Sequence, residues 1–235
     1  MISTDVLFGT LNSRTDLNLI FTHADMGAPE VHTEYVEVPG RDPVDLSELV
    51  SGKPQYNNRE MTIEFEFVGP GWEAEKELVL SKLHGKKMQI RFSQDPNWYY
   101  IGRIFVESEV NASTLHFTMT VTAEPWKYQY NEQVTKITTA GGTVTNPTEF
   151  DSQPLLHILG TAGGTVTVGN NLITIGAIDT YIDIDCKLMD CYQGTVNCNQ
   201  DVTMAKFPTL PPGATGISWT GGVTAVWVTG RWRTL

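Results

Sequence analysis

Met61-Thr62-Ile63-Glu64-Phe65-Glu66-Phe67 decides the fold class. Apolar and polar residues alternate at period two, so an extended strand here has one dry face and one wet face. Leu115-His116-Phe117-Thr118-Met119-Thr120-Val121 repeats the pattern. Glu34-Tyr35-Val36-Glu37-Val38 predicts a further strand, ended by Pro39-Gly40, where Pro presets one dihedral and Gly accepts the strained one. Trp98-Tyr99-Tyr100-Ile101-Gly102-Arg103-Ile104-Phe105-Val106 predicts a strand interrupted at Gly102. One helix is predicted from Trp72 to about His84, after Pro70-Gly71. It sets Val79, Leu80 and Leu83 on one side with Trp72 and Lys76. Glu73, Glu75 and Glu77 sit near its positive end, Lys82 near its negative end, and Gly85 stops it. A helix this short must pack on a sheet.

Further along, strands are predicted throughout. Leu155-Leu156-His157-Ile158-Leu159-Gly160 is an apolar run of buried-strand length. Gly164-Thr165-Val166-Thr167-Val168-Gly169 and Asn171-Leu172-Ile173-Thr174-Ile175 flank Asn170 as a hairpin. Tyr181-Ile182-Asp183-Ile184-Asp185-Cys186 alternates. Gly216-Ile217-Ser218-Trp219 and Thr224-Ala225-Val226-Trp227-Val228-Thr229 follow a Pro-Pro-Gly corner. Short strands with closely spaced turn signals predict a sandwich.

Charge divides the chain near residue 130, where Pro125 and the polar stretch Gln129 to Gln133 are read as a hinge. The first part holds 11 Lys/Arg and 19 Asp/Glu, a balance of −8; the second holds 5 and 8, a balance of −3. The predicted domains are therefore residues 1–130 and 131–235. The whole chain, 235 residues with a formal charge of −11, repels phosphate at long range, which argues against non-specific nucleic-acid binding. No run approaches the roughly 20 apolar residues of a membrane-spanning helix. Met1-Ile2-Ser3-Thr4-Asp5 has neither the basic region nor the apolar run of a secretory leader. Three cysteines do not make a disulfide framework, and the simple reading is synthesis in a reducing compartment.

Asp183 and Asp185 lie two apart on one strand, a spacing that suits an acid–base pair or a calcium site, but also the wet face of any strand. Glu64 and Glu66 raise the same question. Cys186, Cys191 and Cys198 lack the tight ligand pairs and fourth donor of a zinc site, so free thiols are expected. No Gly-x-Ser-x-Gly elbow and no phosphate loop is present. Trp219, Trp227 and Trp232 could offer a sugar-stacking platform, or fill a core or a subunit contact. Lys86-Lys87 reads as a solvated turn.

Several segments together resemble a known family. They are Val38-Pro39-Gly40-Arg41-Asp42; Asn58-Arg59-Glu60-Met61-Thr62-Ile63-Glu64-Phe65; the short helix; the aromatic strand into Gly102-Arg103-Ile104; Ala123-Glu124-Pro125-Trp126-Lys127-Tyr128; Phe207-Pro208-Thr209-Leu210-Pro211-Pro212-Gly213; and Arg231-Trp232-Arg233. Their order and spacing, over nearly the whole chain, resemble the distal tail proteins of long-tailed, non-contractile bacteriophages. The resemblance implies an all-β fold with one short helix: a sandwich- or barrel-like ring-forming domain over 1–130 and a galectin-like sandwich over 131–235. It implies structural or assembly roles for Pro39, Gly40, Arg41, Asp42, Arg59, Glu124, Pro125, Trp126, Phe207, Pro208, Pro212, Gly213, Arg231 and Trp232, with no catalytic residue, cofactor or metal.

The resemblance further implies a virion protein at the tail tip, made in the host bacterial cytoplasm. Its implied partners are further copies in a homo-hexamer, the major tail tube protein, the tail-tip protein, and receptor-binding or baseplate proteins on the outer domain. DNA would pass through the channel without specific binding, and no membrane is involved. The residues agree in one respect: a ring covers exposed strand edges. A galectin-like shape does not by itself import sugar binding. A carbohydrate-binding module, resting on the late tryptophans, and a hydrolase, resting on Asp183 and Asp185, stay open as alternatives.

Overall fold

The computed structural model describes residues 4–47, 52–111 and 114–235; the opening Met1-Ile2-Ser3 lies outside them. The chain divides into two compact units, Met1–Tyr130 with Leu235, and Asn131–Thr234. Both are built of strands, and one α-helix stands among the described residues.

The first unit contains β1 (Val6–Phe8), β2 (Leu11–Asn12), β3 (Ile20–Asp25), β4 (Tyr35–Val36), β5 (Val44–Asp45), β6 (Arg59–Val68), α1 (Trp72–Leu83), β7 (Lys87–Phe92), β8 (Trp98–Asn111) and β9 (Thr114–Gln129). Its main sheet runs β2-β1-β7-β8-β9-β6-β3, with antiparallel neighbours. The two alternating segments pair with each other, Ile63 opposite Met119 and Phe65 opposite Phe117, so their dry faces coincide. Met61, Ile63, Phe65, Leu115, Phe117, Met119 and Val121 form the core with Ile104 from β8 and Val79 and Leu83 from the helix.

The helix ends where the sequence predicts, but its buried stripe is Glu75, Val79 and Leu83; Lys76 and Leu80 are only half-buried. The stripe follows i, i+4, i+8. Glu75 Oε2 accepts a hydrogen bond from Asn18 Nδ2 at 3.3 Å, while Oε1 is buried without one. The predicted strand 34–38 shrinks to Tyr35–Val36, paired among the described residues with Val44–Asp45 alone. Its alternation meets no core, and Tyr35 is 60% exposed. Pro125 is not a hinge: it lies inside β9. There Glu124, Pro125 and Trp126 of β9 stand opposite the single residue Ile101 of β8, since Tyr100 pairs with Lys127 and Gly102 with Ala123. This bulge is the predicted interruption near Gly102. A Cβ at Gly102 would stand 2.5 Å from Val121 Cγ1 and 3.1 Å from Ala123 Cα, so close strand approach requires glycine.

The second unit contains β10 (Thr135–Ile137), β11 (Gly142–Asn146), β12 (Leu155–Val168), β13 (Asn171–Ile175), β14 (Thr180–Asp185), β15 (Asp190–Gln193), β16 (Val196–Asn197), β17 (Val202–Met204) and β18 (Gly213–Thr229). The segments 216–219 and 224–229 are one strand, β18, running antiparallel to β12 along most of its length. The early part of β12 carries β14 on its other side, and the late part carries β13. Between these parts both strands turn a corner, with register shifts around Gly160 and Gly164. Side chains at Gly163 and Gly164 would collide with the backbone carbonyls of Gly176 and Thr220. Glycines therefore let the two long strands pass closely through this irregularity, and the sheet closes on a core of Leu156, Ile158, Val166, Ile173, Ile184, Ile217, Val226 and Val228.

Candidate functional site

The positions singled out by sequence fall into separate places. In the first unit, Arg59, Glu124, Pro125 and Trp126 meet at the β9 bulge. A bulge interrupts the ladder and leaves backbone groups seeking partners. The Pro125 carbonyl finds two, accepting from Arg59 Nε at 3.1 Å and from an Arg59 Nη at 2.8 Å. Arg59 is only 5% exposed and its guanidinium lies over the Tyr100 ring, 5.3 Å from the centroid. Burial lowers its pKa from the ordinary arginine value. Glu124 accepts hydrogen bonds from Lys87 Nζ at 3.0 Å and from the Tyr128 hydroxyl at 2.8 Å. Trp126 stacks edge-to-face on Tyr56 at 5.3 Å, and Tyr56 bridges to Val31. The bulge thus anchors the base of the excursion that carries β4 and β5. Pro39, Gly40, Arg41 and Asp42 stand on that excursion, exposed, in the connection between the two short strands.

In the second unit, Arg231 and Trp232 lie at a corner held by two carboxylates that the sequence reading did not connect to them. Arg231 has φ +53 and makes a two-pronged ion pair with Asp185, at 2.6 and 2.7 Å. Asp185 is 2% exposed and also accepts the N–H groups of Lys187 and Leu188. Burial alone would raise its pKa; Arg231 and the two N–H groups outweigh burial and hold it below the ordinary value. Glu132 accepts N–H bonds from Gly230 and Arg231, the latter at 2.7 Å. Burial nevertheless raises the Glu132 pKa. The expectation that Asp183 and Asp185 share a wet strand face is corrected. Asp185 is interior because Arg231 neutralises it, and Asp183 instead bonds His157 Nδ1 at 2.7 Å. Each carboxylate is committed to a different base. The alternation runs on unbroken into Cys186, so no local signal marked Asp185 as interior.

Phe207 packs on the second core and Pro208 is buried beside it, while Pro212 and Gly213 are exposed at the start of β18. The late tryptophans do not form a platform. Trp232 is 6% exposed and belongs to the core, and Trp219 packs against the same core. Trp227 lies in a cross-strand row, Lys136–Trp227–His157–Asp183–Tyr192. Lys136 Nζ sits 4.3 Å over the indole, and the His157 ring is 5.2 Å away at 34°. The indole's neighbours thus compete with any stacked sugar.

The outward face of the first sheet has a different character. Its rows read Glu66–His116–Glu109, Glu64–Thr118–Glu107, Thr62–Thr120–Phe105 and Glu60–Thr122–Arg103–Lys87 across β6, β9, β8 and β7. The first two rows are acidic, and the bases Arg103 and Lys87 lie at the far end. A groove of about 380 Å³ opens there, lined by Asn58, Lys87, Arg103, Phe105 and Glu124 among others. Among the described residues, no three His, Cys, Asp or Glu side chains group to hold a metal. No described helix is long and apolar enough to cross a membrane. Cys186, Cys191 and Cys198 are free thiols.

No family model and no curated protein matches the chain. Among solved structures, the chain is similar to the crystal structure of the Dit protein (gp 19.1) of SPP1, described as a paradigm of the hub adsorption apparatus in phages that infect Gram-positive bacteria. The two superpose with a TM-score of 0.74 over 99% of this chain and 99% of that one, at 15% sequence identity. The chain therefore shares, over 99% of its length, the mainly β fold of that protein.

Proposed function

We propose that this protein is a distal tail hub: a non-enzymatic virion protein whose copies form a hexameric ring joining the tail tube to the tail tip of a long-tailed, non-contractile phage. The observation that carries this reading is the correspondence of fold with the SPP1 Dit protein over nearly all of both chains. In this reading the first unit, residues 1–130, builds the ring. The second, residues 131–235, is a galectin-like sandwich that offers an outer platform to baseplate or receptor-binding proteins. The protein is made in the host cytoplasm and resides at the tail tip.

Two features suit the first unit to that task. The excursion bearing Arg41 and Asp42 is anchored at its base yet exposes Val31, Tyr35 and Val36, apolar side chains suited to a neighbouring copy. The Glu64, Glu66, Glu107 and Glu109 face suits the wall of a passage, because DNA adheres only where Lys or Arg displaces its counterions. A ring without covalent links needs about 1,600 Å² at each contact. Light scattering with negative-stain imaging of the purified chain tests the reading: sixfold rings are expected. A monomer at every concentration, together with normal tails from phage lacking the protein, overturns it.

A further inference from the structure

Two of the three thiols face each other across a hairpin. Tyr192 pairs with Asn197 and Gln193 with Val196, so the next pair outward sets Cys191 opposite Cys198. The Cys198 N–H donates to the Cys191 carbonyl at 2.8 Å, which fixes that register. Directly opposed residues of this kind have Cα atoms about 5.5 Å apart, inside the range of roughly 4.4–6.8 Å that a disulfide spans. Directly opposed side chains also point to the same face. Accordingly, Cys191 is buried in the second core and Cys198, only half-buried, packs against it.

Cys186 is placed differently. The β14–β15 ladder ends at the pair Asp185–Asp190, so Cys186 lies in the turn beyond it, whereas Cys191 faces Ile184 across the sheet. The Cys186 thiol is also buried, which pushes its pKa up to about 12.

We propose that Cys191 and Cys198 are an oxidative modification site, a reversible disulfide lock across the β15–β16 hairpin formed by exchange with a low-molecular-weight disulfide. The Cys198 thiolate, the more accessible, attacks one sulfur of the small disulfide and expels a thiolate, leaving a mixed disulfide on Cys198. The Cys191 thiolate then attacks Cys198 Sγ and expels the second thiolate. Two protons and two electrons leave the protein thiols, and the small disulfide is reduced to two thiols. Burial pushes the Cys191 thiol up to about 11, so closure accelerates as pH rises.

The bond would be reducible, because opposed Cβ atoms lie about 4.5–5.5 Å apart and must close to about 3.8 Å. The ladder is already incomplete at this pair: the Cys191 N–H donates to Asn199 Oδ1 at 2.7 Å and Asp190 Oδ1 at 3.0 Å instead of across to Cys198. This site stands independently of the hub reading.

The test is incubation of the full chain with oxidised glutathione. Free thiols should fall from three to one. Chymotryptic cleavage after Tyr192 should leave the peptides bearing Cys191 and Cys198 joined until reduction. Cys186→Ser should still lock, Cys191→Ser should accumulate a glutathione adduct on Cys198, and Cys198→Ser should form no intrachain bond. Three persistent thiols, or a bond involving Cys186 in the unmodified sequence, overturns the proposal. Mapping the unmodified chain keeps the test decisive if the Cys191 variant fails to fold.

Discussion

The two units spend charge in opposite ways. The first is dense in ionised residues and sends most of them to solvent: Glu60, Glu107, Glu109, Arg103 and Lys87 are all exposed on one sheet face. The second is sparse, yet draws Asp185, Arg231 and Glu132 into its corner. Two of the motif arginines differ in the same way. Arg59 supports a neutral carbonyl, whereas Arg231 meets a carboxylate. Charge density along a sequence therefore says little about which charges hold the fold. What matters is whether the backbone leaves a gap that a charged side chain must fill.

Asp185→Ala should break this contrast most sharply. It leaves the Arg231 guanidinium and the Lys187 and Leu188 N–H groups without their acceptor, and should cost about 3 kcal/mol in urea unfolding of the second unit. Adding Arg231→Met should recover much of that loss, since an apolar replacement of the whole pair removes the orphaned charge. A double variant no better than the single one would mean that Asp185 acts as a turn cap and not as a counter-ion.

Arg59→Met ranks next. It keeps most of the volume but strips both donors from the Pro125 carbonyl, for an expected cost of about 2 kcal/mol. Arg59→Lys should recover only part, because an ammonium lacks the planar fork. Urea unfolding of the three proteins checks the order.

The third test separates the carboxylates by pH. Glu132 has a raised pKa when folded, so its contribution is full below the unfolded value and is lost as pH rises through the folded one. Asp185 is lowered, so its contribution is present above its ordinary value and is lost as pH falls through the folded one. Glu132→Gln should cost about 1 kcal/mol, because one amide NH₂ now faces an N–H donor. It should also flatten the decline from about pH 4.5 upward. Asp185→Asn should flatten the acid limb instead. Thermal unfolding across pH checks both slopes.

Legibility followed the same division. The period-two strands, the helix ends and the hairpin at Asn170 were legible because each is fixed by neighbours in sequence. Pro125 misled, since a proline inside a central strand is tolerated only at a bulge, and that bulge depends on Arg59, far off in the chain. Asp185 misled for a similar reason: its partner is 46 positions away. The strand predicted at 34–38 failed because alternation alone does not supply a core to face. The exposed motif residues Pro39 to Asp42 make no large structural demand on the chain, so the sequence could mark them without revealing what they touch.

The smallest stability effect belongs to the first unit's acidic face, and it is the most informative about use. Glu64, Glu66, Glu107 and Glu109 stand in rows separated by Thr118 and His116, and the half-exposed His116 lies 3.4 Å from Glu66. Changing all four to Gln moves the formal charge from −11 to −7. It should alter unfolding free energy by less than about 0.5 kcal/mol at each position, since exposed charges across a wet sheet are largely screened. Changing all four to Lys should leave circular dichroism unchanged but create duplex-DNA binding that weakens steeply with salt. The slope in log–log form should approach about 0.9 per phosphate neutralised. If the Lys variant binds no DNA at low salt, this face does not act through its charge, and its acidity is merely that of a solvated sheet. If the Gln variant unfolds the first unit, the division between structural and surface charge fails where it is drawn most strongly.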